Sequence, residues 1–382
     1  MIATPDGGGQ AGAMGRRQRS GDTPRPAGAR RGSVLAALSA STLLAVTVLA
    51  GCTDGAGAPG APAAGGTGRP PSSGAEPSRG TDPARGTDPS RDTDPAPEPD
   101  PAPEPDPSAD LGGPGVRPDA MLATVRLLAG RIGPREATSP AFGRAAAAVR
   151  RSLAAYGYDV ARQRFPVPAG DSWGVAVEAG TSHNVVATPP GLDPRRPHRV
   201  VGAHLDSVAP APGAEDNASG VAVLLEVARL AARPQGPGTA LPTVFVAFGA
   251  EEPRGEGESL HHFGSTVHVE RMPAAQRRAL AAMVSLDRVG VGRSVPVCTG
   301  GLSPLRVRDA LLGLARRADL PATGCTDNTS SDHWSYEQVG VPVARLGSTP
   351  YAAYHSAADL PGVVRRAQLH RVATLAWSWV RG

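Results

Sequence analysis

Several short stretches of this chain set histidines and carboxylates where metal-assisted hydrolysis would need them. They are His204-Leu205-Asp206, Asp216-Asn217-Ala218-Ser219-Gly220, Glu251-Glu252, Asp287 and Tyr354-His355. Imidazole and carboxylate together suit a borderline cation such as zinc, and one carboxylate has two oxygens with which to bridge two ions. A single His or Asp at a strand end is ordinarily a loop residue. A series of them at corresponding places is hard to obtain by accident.

The elements that must hold these residues alternate between helix and strand. Helical patterns run over 120–131, 141–156 (stopped by Gly157), 218–233 and 363–379, with a further helix to about Ala318 capped by Ser303. Strand patterns run over 159–165, 184–188, 199–204, 243–248, 281–289 and 341–346. Apolar strands separated by helices predict an α/β fold, a mainly parallel mixed sheet sandwiched by helices. In such sheets sites lie beyond the carboxyl ends of the strands, which is where the His and carboxylate residues fall.

In combination, His204-x-Asp206, Asp216-Asn217-x-Ser219-Gly220, Gly249-Ala250-Glu251-Glu252, Asp287, Ser331-Asp332-His333 and Tyr354-His355 resemble peptidase family M28, the zinc aminopeptidases, of the secreted and lipoprotein type found in actinobacteria. The resemblance runs from about Asp119 to the C-terminus and implies a zinc-dependent exopeptidase (phosphorylase/hydrolase-like) fold in a single globular domain. It implies two Zn²⁺ ions, one on His204 and Asp287, the other on Glu252 and His355, with Asp216 bridging. It further implies Glu251 as general base, Asp206 orienting the His204 imidazole, and Tyr354 donating a hydrogen bond to the developing oxyanion. The implied substrates are peptides with a free N-terminus. A glutaminyl cyclase or carboxypeptidase on the same scaffold, or a non-catalytic binding ectodomain, are the alternatives.

The sequence departs from the family pattern between Glu252 and Gly264-Ser265, where residues 253–263 form an insertion holding Glu256, Glu258, His261 and His262. It reads as an exposed loop on the rim of the site. Arg288 follows Asp287 where a small or apolar residue is commoner. Ser331-Asp332-His333 cannot form a hydrolase triad, because adjacent side chains lack that geometry and no nucleophile elbow exists; His333 reads as a pocket-wall or packing residue. His183, His198, His268 and His370 carry no spacing signal and are expected at the surface.

The first third of the chain is different in kind. Arg16, Arg17, Arg19, Arg25, Arg30 and Arg31 precede an apolar run from Val34 to Ala50, which ends in Leu49-Ala50-Gly51-Cys52. This reads as a lipoprotein signal peptide over 1–51, with Met14 an alternative start and a transmembrane anchor the alternative to the lipid on Cys52. Residues 52–118 repeat Arg-Gly-Thr-Asp-Pro and Ala-Pro-Glu-Pro-Asp-Pro units and have little to bury, so a disordered stalk is expected there, followed by the peptidase-like domain over 119–382. The expected location is the extracellular face of the cell membrane. An exported domain favours pairing Cys298 with Cys325. The formal charge is +4, carried by Arg without any Lys, and no Arg-rich run marks the folded part, so nucleic-acid binding is not expected.

Overall fold

The computed structural model describes residues 115–233, 240–302 and 304–382. The expected signal peptide, Cys52, nearly all of the expected stalk and Ser303, expected to cap a helix, lie outside the described residues. Residues 115–118, which composition assigns to the stalk, belong to the fold. The Arg117 backbone N–H and guanidinium both bond Glu226, and Gly115 offers its carbonyl to Arg229.

The strands are β1 (Asp159–Val167), β2 (Gly170–Asp171), β3 (Ala176–Val177), β4 (Gly180–Thr188), β5 (His198–His204), β6 (Thr243–Phe248), β7 (Leu280–Leu286), β8 (Val295–Cys298), β9 (Ala322–Gly324) and β10 (Val343–Leu346). The helices are α1 (Pro118–Val125, extended by a wider turn through Ile132), α2 (Pro140–Ala155), α3 (Gly220–Ala231), α4 (Phe263–Glu270), α5 (Ala274–Ala279), α6 (Arg306–Arg317), α7 (His333–Glu337) and α8 (Arg366–Arg381). The main sheet has the order β1-β4-β6-β5-β7-β10-β8-β9, and β2 and β3 form a separate small hairpin. The central strands β6, β5, β7 and β10 are parallel to one another, while β1, β4 and β8 meet their inner neighbours antiparallel.

Alternate residues of the central strands feed two cores, which is why these strands are apolar throughout. Val201, Ala203, Phe245, Ala247, Val284 and Leu286 pack with α1, α2, α3, α6 and α8 on one face. Val200, Val244, Val246, Phe248, Met283 and Val343 pack with α4 and α7 on the other. The α3 helix is buried on every side, so it too is apolar nearly all round. Gly220, its first residue, approaches β7 so closely that a Cβ would lie 2.3 Å from the Leu286 carbonyl oxygen.

Cys298 and Cys325 are joined by a disulfide spanning 27 residues of separation, a closure worth roughly 3–4 kcal/mol by loop entropy. The histidines expected at the surface are mostly inside: His198, His268 and His370 are buried, and only His183 is partly open. His268 and His370 lie on buried faces of α4 and α8 and His198 at the start of β5, which periodicity alone could not show for a residue this amphipathic.

His268 gives the fold an acid-sensitive element. Its Nδ1 lies 2.6 Å from the Tyr336 hydroxyl in the second core, and burial, with some help from His198, lowers its pKa to about 4. A folded pKa below the unfolded value of about 6.5 means that this contribution to stability is complete above pH 6.5 and is lost as pH falls toward 4. The expected loss from His268 is about 2 kcal/mol between pH 7 and 5. Denaturant melts across that range should show it, and His268→Gln should flatten the slope by that amount.

Candidate metal centre

Four parallel strands deliver their carboxyl ends to one edge of the sheet. His204 is the last residue of β5, Glu251 and Glu252 follow β6, Asp287 follows β7, and the chain leaving β10 returns with Tyr354 and His355. Chain order reverses at β5, which pairs with β6 on one side and with β7 on the other. That is the switch point where an open α/β sheet leaves a crevice. The turn carrying Asp216, just before α3, sits over it.

Asp216 divides the cluster in two. Its Oδ1 lies 3.0 Å from His204 Nε2, and Asp287 Oδ1 is 3.4 Å from the same nitrogen. Its Oδ2 lies 3.1 Å from His355 Nε2, which Glu252 Oε2 approaches to 3.2 Å. Two potential ligand sets therefore form, His204–Asp216–Asp287 and Asp216–Glu252–His355, each with ligand atoms within 4.8 Å of one another. A third combination, His204–Glu251–Glu252, meets the same criterion.

The electrostatics are those of a cluster that wants cations. Asp206, Asp216, Glu251, Glu252, Asp287 and Asp332 are all buried around the two imidazoles. Burial pushes Glu252 up to about 7 and Asp206 up to about 6. His355 rises to about 10 because Glu252 and Asp216 outweigh the burial that would lower it. Asp216 is held well below the usual carboxylate range by His204 and His355 against its own burial. Asp287 Oδ1 and Glu252 Oε1 are buried without a hydrogen-bond partner. Orphaned carboxylate oxygens and crowded like charges are costly unless a cation completes them, so the donor set fits divalent ions such as zinc.

At Asp206 the structure adds contacts that the sequence reading did not name. Its Oδ1 is 3.9 Å from His204 Nδ1, beyond hydrogen-bonding range, and the carboxylate accepts the backbone N–H groups of Glu251 and Glu252 at 3.2 and 3.1 Å. Asp206 thus fixes the Glu251–Glu252 turn. Tyr354 stacks on His355 with centroids 3.7 Å apart, and Arg288 lies 4.5 Å over the Tyr354 ring. Burial holds the Tyr354 hydroxyl protonated, available as a donor, with Arg288 pulling the other way. His333 is fully buried and bonds the Asn328 carbonyl, a packing role.

The model describing peptidase family M28 matches residues 184–380. The chain belongs to peptidase family M28. Among curated M28-like relatives, the uncharacterized protein YfbL of Escherichia coli (strain K12) is 30% identical over 188 residues, 47% of this chain and 52% of that protein. Aminopeptidase YwaD of Bacillus subtilis (strain 168) is 30% identical over 171 residues, 44% of this chain and 35% of that protein. The chain thus spans about half, or less, of the length of these relatives. In fold it resembles BSAP, a zinc aminopeptidase from Bacillus subtilis, with a TM-score of 0.60 at 18% identity, over 69% of this chain and 94% of that one. A Porphyromonas gingivalis glutaminyl cyclase has the same fold, with a TM-score of 0.56 at 20% identity, over 71% of this chain and 99% of that one.

Several residues of this M28 chain that brace the centre escaped the sequence reading. Arg345, inside β10, places NH2 3.0 Å from Asp287 Oδ2 and is otherwise held by Asn328 and Ser330. A charged residue within an apolar buried strand was the available signal. Asn217 was named in the 216–220 motif but without a role: joined to Asp216 by a cis peptide bond, it accepts from Gly220 N and donates to the Leu286 carbonyl, tying that turn to the end of β7. Trp173, on the β2–β3 hairpin, is half exposed and packs edge-to-face against His355, with ring centroids 4.2 Å apart.

Asp359 is the main brace of Asp216. Its carboxylate accepts the backbone N–H groups of Glu215 and Asp216 at 2.9 and 3.1 Å and the Tyr351 hydroxyl at 3.0 Å. No motif marks it, because two of the three groups it holds are backbone N–H groups of a distant turn. Asp359→Ala would leave three buried donors unsatisfied. It is expected to cost about 3–5 kcal/mol of stability and to weaken metal binding about 10- to 100-fold, measured by denaturation and by zinc titration.

Proposed function

We propose that the protein is a zinc-dependent exopeptidase that binds two metal ions and removes the N-terminal residue of peptides. The observation that supports it is the division of Asp216 between two His–carboxylate pairs, 3.0 Å from His204 on one oxygen and 3.1 Å from His355 on the other. His204 and Asp287 would hold one zinc ion, Glu252 and His355 the second, and Asp216 both. Bound zinc would supply Lewis-acid activation of a water molecule and polarisation of the scissile carbonyl.

The chain's own groups do the rest. Glu251 Oε2 lies on the side of the centre, 3.9 Å from His204 Nε2, placed to take a proton from the attacking water and return it to the departing amine. The Tyr354 hydroxyl donates to the carbonyl oxygen as negative charge develops there. The surrounding carboxylates favour a substrate's free ammonium group over an acylated N-terminus. The Cys52 signal supports placing this domain, by a lipid, on the outer face of the cell membrane.

A panel of aminoacyl p-nitroanilides, their N-acetylated twins and peptides beginning with Gln tests the reading. Release of p-nitroaniline from the free-amine members alone is the expected result. Cyclisation of N-terminal Gln in place of hydrolysis would assign the cyclase activity that this fold also carries, and cleavage of the acetylated twins would remove the exopeptidase reading.

A further inference from the structure

The insertion after Glu252 does not form the exposed rim expected of it. Only its tip, around Glu256 and Glu258, is exposed, and its two ends are tied down. Arg254 is buried, its guanidinium pairs with Glu136 and reaches the carbonyls of Pro168 and Glu178, and its own carbonyl accepts from Asp171 N on the β2–β3 hairpin. At the other end, His262 takes a left-handed backbone conformation at the start of α4 (φ 53°, ψ 30°), and its N–H bonds the Glu251 carbonyl at 2.9 Å. That conformation turns the side chain inward. His262 is 9% exposed, and its Nε2 lies 3.2 Å from Glu251 Oε1.

We propose that His262, delivered by this insertion, is the positioning residue of the general base: its Nε2–H holds Glu251 Oε1 so that Oε2 stays aimed at the metal centre. The proposal rests on Glu251 being the base. Its geometry follows from the division of labour between the two oxygens, Oε1 on His262 at 3.2 Å and Oε2 toward the centre, 3.9 Å from His204 Nε2. A glutamate side chain has three rotatable torsions, and this one sits among buried carboxylates that repel it. A donor on its outer oxygen removes that freedom and restricts the other oxygen to one direction. His262 touches no reacting atom. The backbone bond from His262 to the Glu251 carbonyl and the two backbone bonds from Glu251 and Glu252 to Asp206 fix the main chain from both sides, so the side-chain contact is the remaining determinant of where the carboxylate points.

The test compares His262→Gln, which keeps an N–H donor at about the reach of Nε2, with His262→Phe, which keeps the ring's bulk and loses the donor. In the zinc-loaded full chain, His262→Phe should lose roughly 30- to 100-fold in kcat at nearly unchanged KM and zinc content, the size of effect expected from a misplaced catalytic group. His262→Gln should recover most of it. Added to Glu251→Gln, the Phe substitution should cost nothing more, since the group it positions is already disabled. A Phe variant with wild-type kcat, equal losses in the Gln and Phe variants, or an additive double variant would each overturn the proposal. Glu251→Gln alone separates the two levels. If it stays active, the reading of Glu251 as base has failed. If it is inactive while His262→Phe is fully active, only the positioning role has failed.

Discussion

Glu251→Gln is expected to lower kcat for peptide hydrolysis by about 10²- to 10⁴-fold while zinc content and thermal stability stay near those of the wild type. The amide retains the size of the carboxylate and one acceptor oxygen, but it cannot take a proton from water. Glu251 is buried and held below its ordinary pKa: burial pushes it upward, and the nearby His204 and the His262 contact outweigh that. It is therefore ionised, as a base must be. Kinetics and metal analysis on the same sample separate the roles open to it, because Glu251 also lies in a combination with His204 and Glu252 that could hold an ion. A variant that loses zinc would make Glu251 a ligand, and a variant that keeps both zinc and activity would leave it no chemical role.

Asp216→Asn should have the largest effect on metal binding. Its two oxygens serve both halves of the centre, and its charge is the one shared by His204 and His355. An amide offers only one acceptor oxygen and no charge, so of the two proposed ions one would lose this ligand and the other would keep only a neutral one. The expected loss of affinity exceeds the roughly 10- to 100-fold that removing a supporting residue costs, and activity falls with it. Replacement of Asp287 or Glu252 removes a ligand from one half only. Zinc titrations of the three variants should therefore differ in kind: the Asp216 variant weakened at both sites, the other two at one. Equal single-site losses in all three would contradict the bridging role.

How much of this was legible in the sequence follows from what each residue acts on. His204, Glu251, Glu252 and Asp287 announce themselves as His, Asp or Glu at or just beyond the end of an apolar strand, while Asp216 and His355 come later in the loops that follow; apolar runs identify buried parallel strands well. The fold class followed from the same alternation. The short β8 and β9, α7 and the β2–β3 hairpin carried too few residues for a period to register. Residues that act on backbone, such as Asp359 on the 215–216 turn and Asp206 on the 251–252 turn, share no spacing with what they hold. His262 was hidden differently: an insertion with charged residues reads as exposed, and only the left-handed turn at its end brings one imidazole back inside. Arg345 was readable as a charge in a buried strand, but its partner Asp287 lies just past the end of the neighbouring β7, which sequence cannot bring beside it.

The central claim is that two zinc ions and a free substrate amine are both required. The direct measurement is hydrolysis of an aminoacyl p-nitroanilide by metal-stripped protein as zinc is added, with the N-acetylated twin followed in parallel. The account expects activity on the free-amine substrate to rise to a plateau at two equivalents of zinc per chain, with none on the twin. A plateau at one equivalent, or equal turnover of the acetylated substrate, would contradict it.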